Sequence, residues 1–384
     1  MLTKDIKLKS FSKTNPKKII KKKLELIIKE NSQLIKSLSK NYKDKYNFKK
    51  IKNFFGNNNV RLIGMGGSVL GSQAIYYFLK EKIKKKFFFI DNFTPLIKNN
   101  HKSKVNNLII SKSGNTLETI SNVNIYVKNN DKNIIITQNK PSYLRELATK
   151  LKSEIVHHNN FIGGRYSVLS EVGMLPAELM GLNPKKFRQL DNLIKNKNFL
   201  NLLINNTTSI LDFLKKKKFN SVIINYDYKS DYLFRWYQQL VAESLGKKGK
   251  GILPIISTMP KDNHSVMQLY LDGFKNNFFT IFYCKEKFSQ KLNKNKLLEA
   301  YKYLGSQSID NILFNQKSAT EKVFKLKNIP FRSFEIRNRN EKTLGELFCY
   351  FILETILLGR ALNINPFDQP SVELIKEETK KLFF

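Results

Sequence analysis

The chain has 384 residues, more than one domain usually needs, so its length favours about two domains with substantial cores. Apolar residues make up 41% and aromatics 12%, with 29 Phe and 16 Tyr, which excludes a disordered chain. The formal charge is +37, but only nine of the 68 basic residues are Arg, and a nucleic-acid surface usually concentrates Arg, which forks onto phosphate and guanine.

The stretch 1–50 carries Ile19, Ile20, Leu24, Ile27 and Ile28 among lysines, the pattern of an amphipathic helix, and predicts a peripheral helical segment. Short apolar runs follow at Val60–Ile63, Phe87–Ile90, Leu108–Ile110, Ile134–Ile136 and Ile155–Val156, separated by polar stretches of helical length. Such runs predict parallel strands buried on both faces, and assign a first α/β unit to 51–190. After a helical stretch near Asn192–Lys217, the runs Val222–Ile224, Ile252–Ile256, Phe278–Tyr283 and Phe334–Ile336 repeat the alternation and give a second unit over 191–340. Leu344–Leu362 is apolar at helical length, and a further helix is expected after Pro370, so 341–384 reads as C-terminal helices that complete the active site. The expected fold class is α/β, two parallel sheets flanked by helices.

Cys284 and Cys349 are the only cysteines. Two cysteines without C-x-x-C spacing suit a reducing cytosol better than a disulfide framework. The lysine-rich N-terminus has no apolar signal core, and no apolar stretch reaches 18 residues, so a cytoplasmic chain with no membrane partner is expected.

The first strand runs into Gly64-Met65-Gly66-Gly67-Ser68, where missing side chains expose backbone N–H groups to an anion at a helix start. Asp91 ends the next strand as a ribose-binding acid would, yet Val69 stands at the third glycine of the dinucleotide fingerprint. The third strand delivers Ser111-Lys112-Ser113-Gly114-Asn115-Thr116-Leu117-Glu118-Thr119. Hydroxyls, an ammonium and helix N–H groups suit a phosphate monoester, and Asn115 and Glu118 have the spacing of a helix cap. In Gly163-Gly164-Arg165-Tyr166-Ser167 an arginine placed behind two glycines can steady negative charge on an oxygen. Gln239 and Glu243 are four apart on one helix face, a hydrogen-bonder beside a carboxylate. His264 lies in Asn263-His264-Ser265, and Phe367-Asp368-Gln369-Pro370 enters the helix bearing Glu373 and Lys376. No zinc spacing, phosphate-binding P-loop or G-x-S-x-G elbow occurs, so no metal or nucleotide cofactor is expected.

Taken in order, these segments resemble the glucose-6-phosphate isomerase (phosphoglucose isomerase) family, whose members carry two sugar-isomerase (SIS) domains. The resemblance runs from about Leu62 to Lys376, and also takes in Gln238, Ser244 with Gly246-Lys247, and Gln268-Leu269 with Gly273. It implies two SIS-type α/β sandwich domains and the interconversion of glucose 6-phosphate and fructose 6-phosphate through a cis-enediol. By resemblance, Glu243 would be the base between C1 and C2 and Arg165 would steady the enediolate. His264 would handle ring opening with Lys376 assisting, and Glu118 would orient that histidine. Ser111, Lys112, Ser113 and Thr116 would hold the phosphate, while Gly67, Ser68, Gly164, Gln239 and Gln369 would line the sugar. The histidine comes from the partner subunit in the family, which implies a homodimer with shared sites.

Three other functions compete. A non-catalytic phosphosugar-sensing SIS protein would keep the phosphate loop without needing Glu243, Arg165, His264 and Lys376 together. A dinucleotide-dependent oxidoreductase lacks its third glycine, and a nucleic-acid binder has only charge behind it.

Overall fold

A computed structural model describes residues 1–11, 17–93 and 104–383. Among these residues ten strands form two five-stranded sheets: β1 (Ile6–Lys9), β2 (Asn59–Gly64), β3 (Phe87–Ile90), β4 (Val105–Ile110), β5 (Asn133–Thr137), β6 (Glu154–His157), β7 (Asn220–Asn225), β8 (Leu253–Thr258), β9 (Asn277–Cys284) and β10 (Phe331–Ile336). The first sheet has the order β3-β2-β4-β5-β6 and is parallel throughout. The second has the order β1-β10-β9-β7-β8 and is parallel except for β1. The strand order therefore reverses between β2 and β4, and again between β7 and β9. Ligands of such sheets gather beyond the strand C-termini at these points.

The apolar runs are continuous because both faces of each sheet are covered. In the first sheet Ile63, Ile109 and Ile135 meet Val123, Leu144 and Ala148 of the flanking helices, while Leu62, Leu108 and Ile134 join the central core. In the second, Val222, Ile224, Phe279 and Ile281 face an outer cluster, and Ile223, Phe278, Phe282 and Phe334 face the same central core. Both sheets share that core, so the two α/β units pack as one body.

Helix Glu341–Ala361 fills the middle, buried at every position from Thr343 to Gly359. A helix apolar all round belongs inside. Its three buried carboxylates are satisfied, Glu341 accepting from Lys82 Nζ at 2.8 Å. Glu354 pairs with the fully buried Arg332, Nη2 to Oε2 at 2.9 Å, and Glu346 accepts from Thr3 Oγ1 at 2.7 Å. Within the 341–384 segment, Thr343–Gly359 is thus core, while the stretch 365–369 beyond it supplies hydrogen-bond acceptors to Arg165.

The 1–50 segment also departs from the helical expectation. Helix Lys18–Lys29 does bury Ile20, Leu24 and Ile27, but Ile6–Lys9 adds an antiparallel edge strand on β10, with Ile6 opposite Ile336. Its Ile-Lys-Leu-Lys alternation spans only four residues, too short to separate from the lysine-rich text around it. Among the described residues no helix is long and apolar enough to cross a membrane.

Candidate active site

Arg165 stands in the short turn Gly164–Leu169 that follows β6, and helix Asp231–Leu245 carries Gln239, Glu243 and Ser244 to it. Arg165 Nη1 donates to Glu243 Oε2 at 3.1 Å, and Gln239 Nε2 donates to Glu243 Oε1 at 2.9 Å. The arginine side chain is 1% exposed and the glutamate 30%, so a buried cation underlies a carboxylate that still reaches solvent. The other guanidinium donors are also committed. Nε donates to Ser244 Oγ at 2.8 Å and Nη1 to Gln369 Oε1 at 2.5 Å. Nη2 donates to the carbonyls of Pro366 at 2.8 Å and Asp368 at 3.0 Å. All five N–H groups of the fork have acceptors.

Two glycines let three chain segments meet here. A Cβ on Gly67 would lie 2.2 Å from the Gly164 carbonyl carbon, and one on Gly66, whose φ is +51°, would lie 2.8 Å from Gln239 Nε2. The Gly64–Ser68 turn is therefore not an open pyrophosphate cradle, because the Gly164–Arg165 backbone occupies its concavity. Asp91, the would-be ribose ligand, accepts from Gln73 Nε2 at 2.9 Å.

The loop after β4 is built differently. Ser111 Oγ and Thr116 Oγ1 are 2.9 Å apart, and Ser111 Oγ accepts from Gly114 N at 3.2 Å. Gly114 takes φ +71°, and a Cβ there would strike Ser142 Oγ at 2.3 Å. Ser113 Oγ accepts from Asn115 N at 3.2 Å. The expected Asn115–Glu118 cap is not made. Thr116 is the N-cap of helix Leu117–Tyr126 and makes no side-chain cap bond, while Asn115 Oδ1 accepts from Tyr143 N at 2.9 Å. The reason is geometric: Asn115 sits one residue too early and is drawn to the next helix. The first amides of Leu117–Tyr126 thus keep the capacity to bind an anion. Burial pushes the Lys112 ammonium below its ordinary pKa, and the cations Lys140 and Arg165 push it further. Gly64 at the end of β2 pairs with Ile110 at the end of β4, which sets this loop beside the Gly64–Ser68 turn that packs on Gly164 and Arg165.

Gly67, Gly164, Arg165, Gln239, Glu243 and Gln369 are brought together, with Ser68 on the adjoining turn. No hydrogen bond or ion pair joins His264 or Lys376 to these residues. His264 is exposed at the end of the turn Lys261–His264 after β8, and no hydrogen bond or ion pair joins it to Glu118. Lys376 belongs to the exposed helix Ser371–Lys381, and its Nζ pairs with Glu373 at 2.7 Å. Sequence reasoning did not assign roles to Ser244, Tyr166 or the carbonyls of Pro366 and Asp368. Tyr166 Oη bonds Ser244 Oγ at 2.8 Å and donates to Pro366 O at 3.0 Å. Ser244 adjoins Glu243 in the sequence, but a carbonyl acceptor leaves no side-chain signature. Among the described residues no group of three or more His, Cys, Asp or Glu could hold a metal ion.

The profile of the family described as Phosphoglucose isomerase matches residues 22–252, a span that includes the 111–119 loop, Arg165 and Glu243. The chain belongs to the phosphoglucose isomerase family. Glucose-6-phosphate isomerase of Methanocaldococcus jannaschii is 32% identical over 358 residues, covering 88% of this chain and 86% of that one. Glucose-6-phosphate isomerase of Mycoplasmopsis pulmonis is 32% identical over 366 residues, covering 86% of this chain and 84% of its own. Solved structures carry the phosphoglucose isomerase fold across greater distance. A hypothetical protein of Thermus thermophilus superposes with a TM-score of 0.82 at 23% identity, over 95% of this chain and 94% of that one. Glucose-6-phosphate isomerase of Chlamydia trachomatis superposes at 0.75 and 18% identity, over 95% and 83%.

Proposed function

We propose that this family member interconverts glucose 6-phosphate and fructose 6-phosphate, the step shared by glycolysis and gluconeogenesis, as a cytoplasmic homodimer and without metal or nucleotide. The observation that carries this is the buried Arg165 under a solvent-reaching Glu243, flanked by a hydroxyl-rich loop at an uncapped helix start. The phosphate binds Ser111, Lys112, Ser113 and Thr116, and the sugar lies along Gly67, Ser68, Gly164, Gln239 and Gln369. Glu243 takes the C2 proton of the open-chain aldose and returns it to C1, while a hydroxyl proton passes from O2 to O1, so no atom is gained or lost. Arg165 holds the charge that develops on the enediolate oxygen, where a buried, oriented donor is worth most. His264 of a second subunit opens the ring, with Glu118 orienting it and Lys376 assisting. The exposure of His264 on its own subunit supports that arrangement. A non-catalytic phosphosugar sensor would have no use for a carboxylate held on a buried arginine.

A coupled assay of fructose 6-phosphate conversion with no added metal tests the proposal. Glu243→Gln keeps an oxygen for Arg165 but loses the base, so turnover falls about 10²- to 10⁴-fold while the fold is kept. Activity that vanishes with chelator and returns with a divalent metal refutes the mechanism.

A further inference from the structure

The fork of Arg165 is fixed chiefly by residues 365–369: the carbonyls of Pro366 and Asp368 and the amide of Gln369 accept three of its hydrogen bonds. These acceptors lie past the last residue of the buried Glu341–Ala361 helix, in irregular chain between two helices that is exposed except at Ile364 and Pro366. Such chain does not hold a register by itself. Besides Arg165 itself and Tyr166, which donates to Pro366 O, one further side chain grips it. Lys247 Nζ donates to the carbonyls of Asn365 and Asp368, the latter at 2.6 Å, and to Asp368 Oδ1. All three donors of the ammonium are spent on this loop, and Asp368 Oδ2 accepts from Asn365 Nδ2 at 3.0 Å, closing the turn on itself.

Lys247 is itself well placed to hold. It follows helix Asp231–Leu245, which carries Gln239, Glu243 and Ser244. Its N–H donates to Lys250 O at 3.0 Å and its carbonyl accepts from Lys250 N at 2.9 Å. Lys250 Nζ adds a bond to Leu362 O at 2.9 Å. The helix end that presents the carboxylate is thus fastened to the loop that fixes the cation. The side chain of Lys247 is 11% exposed while that of Asp368 is 51% exposed, so the lysine is the anchored member of the pair.

We infer that Lys247 is a positioning residue for Arg165, setting the register of 365–369 and through it the angle of the guanidinium under Glu243. The inference rests on the isomerase proposed above for its kinetic readout, but not for its structural one.

The test compares the parent protein with Lys247→Met, Lys247→Arg and Asp368→Asn by hydrogen exchange over 363–369 and by steady-state fructose 6-phosphate kinetics. In Lys247→Met the 363–369 amides exchange faster while those of 343–359 keep their protection. Its kcat falls about 10- to 100-fold, as a displaced catalytic group costs, with KM changed less than about twofold, the pattern of a loss confined to the transition state. Lys247→Arg recovers most of both. Asp368→Asn is milder than Lys247→Met, because the two carbonyl bonds remain. Unchanged exchange at 363–369 overturns the inference, whether or not the parent turns over. So does a kcat within about threefold of the parent, or a kcat loss that Lys247→Arg leaves unrepaired. A parent that shows the exchange pattern but no isomerisation refutes the proposed function and leaves the grip of Lys247 standing.

Discussion

The close approach of the first glycine turn to the arginine turn makes Gly67→Ala the sharpest single test of the site's construction. The added Cβ would sit 2.2 Å from Gly164 C, 2.5 Å from Arg165 N and 2.5 Å from Gly164 O, all backbone atoms, and relief requires opening the nearest contact to 3.4 Å, a shift of about 1.2 Å. Neither partner yields readily. Gly164 O accepts from Ser167 Oγ at 2.6 Å, and Arg165 O accepts from the indole of Trp236 at 3.1 Å. The strain therefore moves the Arg165 turn as a unit and carries the guanidinium off its acceptors. Overpacking of this kind costs about 1–3 kcal/mol, and a displacement near 1 Å at a reacting group costs about 100-fold in rate. Gly163→Ala is the matched control, since its φ is −68° and its Cβ would meet nothing closer than Tyr166 Cδ2 at 3.7 Å. Thermal melts and the fructose 6-phosphate assay on both variants decide the matter. Gly67→Ala melts lower and loses most of its kcat, while Gly163→Ala stays near the parent in both. If the two behave alike, or Gly67→Ala keeps its kcat within about threefold, the packing argument is wrong.

Lys112 loses its proton at a lower pH than an ordinary lysine, because burial and two neighbouring cations disfavour the ammonium. KM for fructose 6-phosphate therefore rises early on the alkaline side with kcat less affected, and Lys112→Arg, which keeps its charge, flattens that rise in a KM–pH profile. His158 is fully buried with Nε2 unpartnered, and burial depresses its pKa to about 4. A depressed folded pKa gives stability that is whole above the unfolded value near 6.5 and is lost as pH falls towards 4, at most roughly 3 kcal/mol. Parallel melts of the parent and His158→Asn over that window show a steeper fall in the parent. His264→Ala and Glu243→Gln, each inactive alone, regain part of the turnover when mixed and reassociated, since one hybrid site receives both intact residues. A dimer that never recovers activity on mixing rules out histidine supplied across subunits.

The inner strands were legible because burial on both faces writes a continuous apolar run, as in Ile134–Ile136, and the less buried edge strands β3, β6 and β8 still kept short apolar runs. Strand β1 was not, since an edge strand half open to solvent alternates with lysine over only four residues. At the site, side chains with a chemical signature stood out: Arg165 behind two glycines, Glu243 one turn after Gln239, the hydroxyls of 111–116. What escaped was the scaffolding, because a carbonyl such as Pro366 O is identical at every position and shows its use only once the chain is folded. The role of Asn115 was misjudged for a related reason. Its competing partner, Tyr143 N, lies 28 positions away and cannot be weighed against a local cap. The placement of His264 and Lys376 on exposed elements was equally invisible, because residue type says nothing about which surface a turn or helix end will face.

The pairing of β1 with β10 bears on how the protein is made. Ile6 lies opposite Ile336, and Thr3 reaches Glu346 across 343 positions of sequence. At typical synthesis rates of about 5–20 residues per second, a ribosome reaches β10 roughly 20–70 seconds after β1 has been made. About half-way through that interval, once β6 is made, the first parallel sheet has all five of its strands at hand, whereas the second must assemble with its outer edge open until its own last strand is made. Contacts of such long sequence separation form slowly, and an open edge is a template for a neighbouring chain. The lysines of Ile-Lys-Leu-Lys, unremarkable once folded, are residues that oppose such pairing for as long as the segment stands without β10.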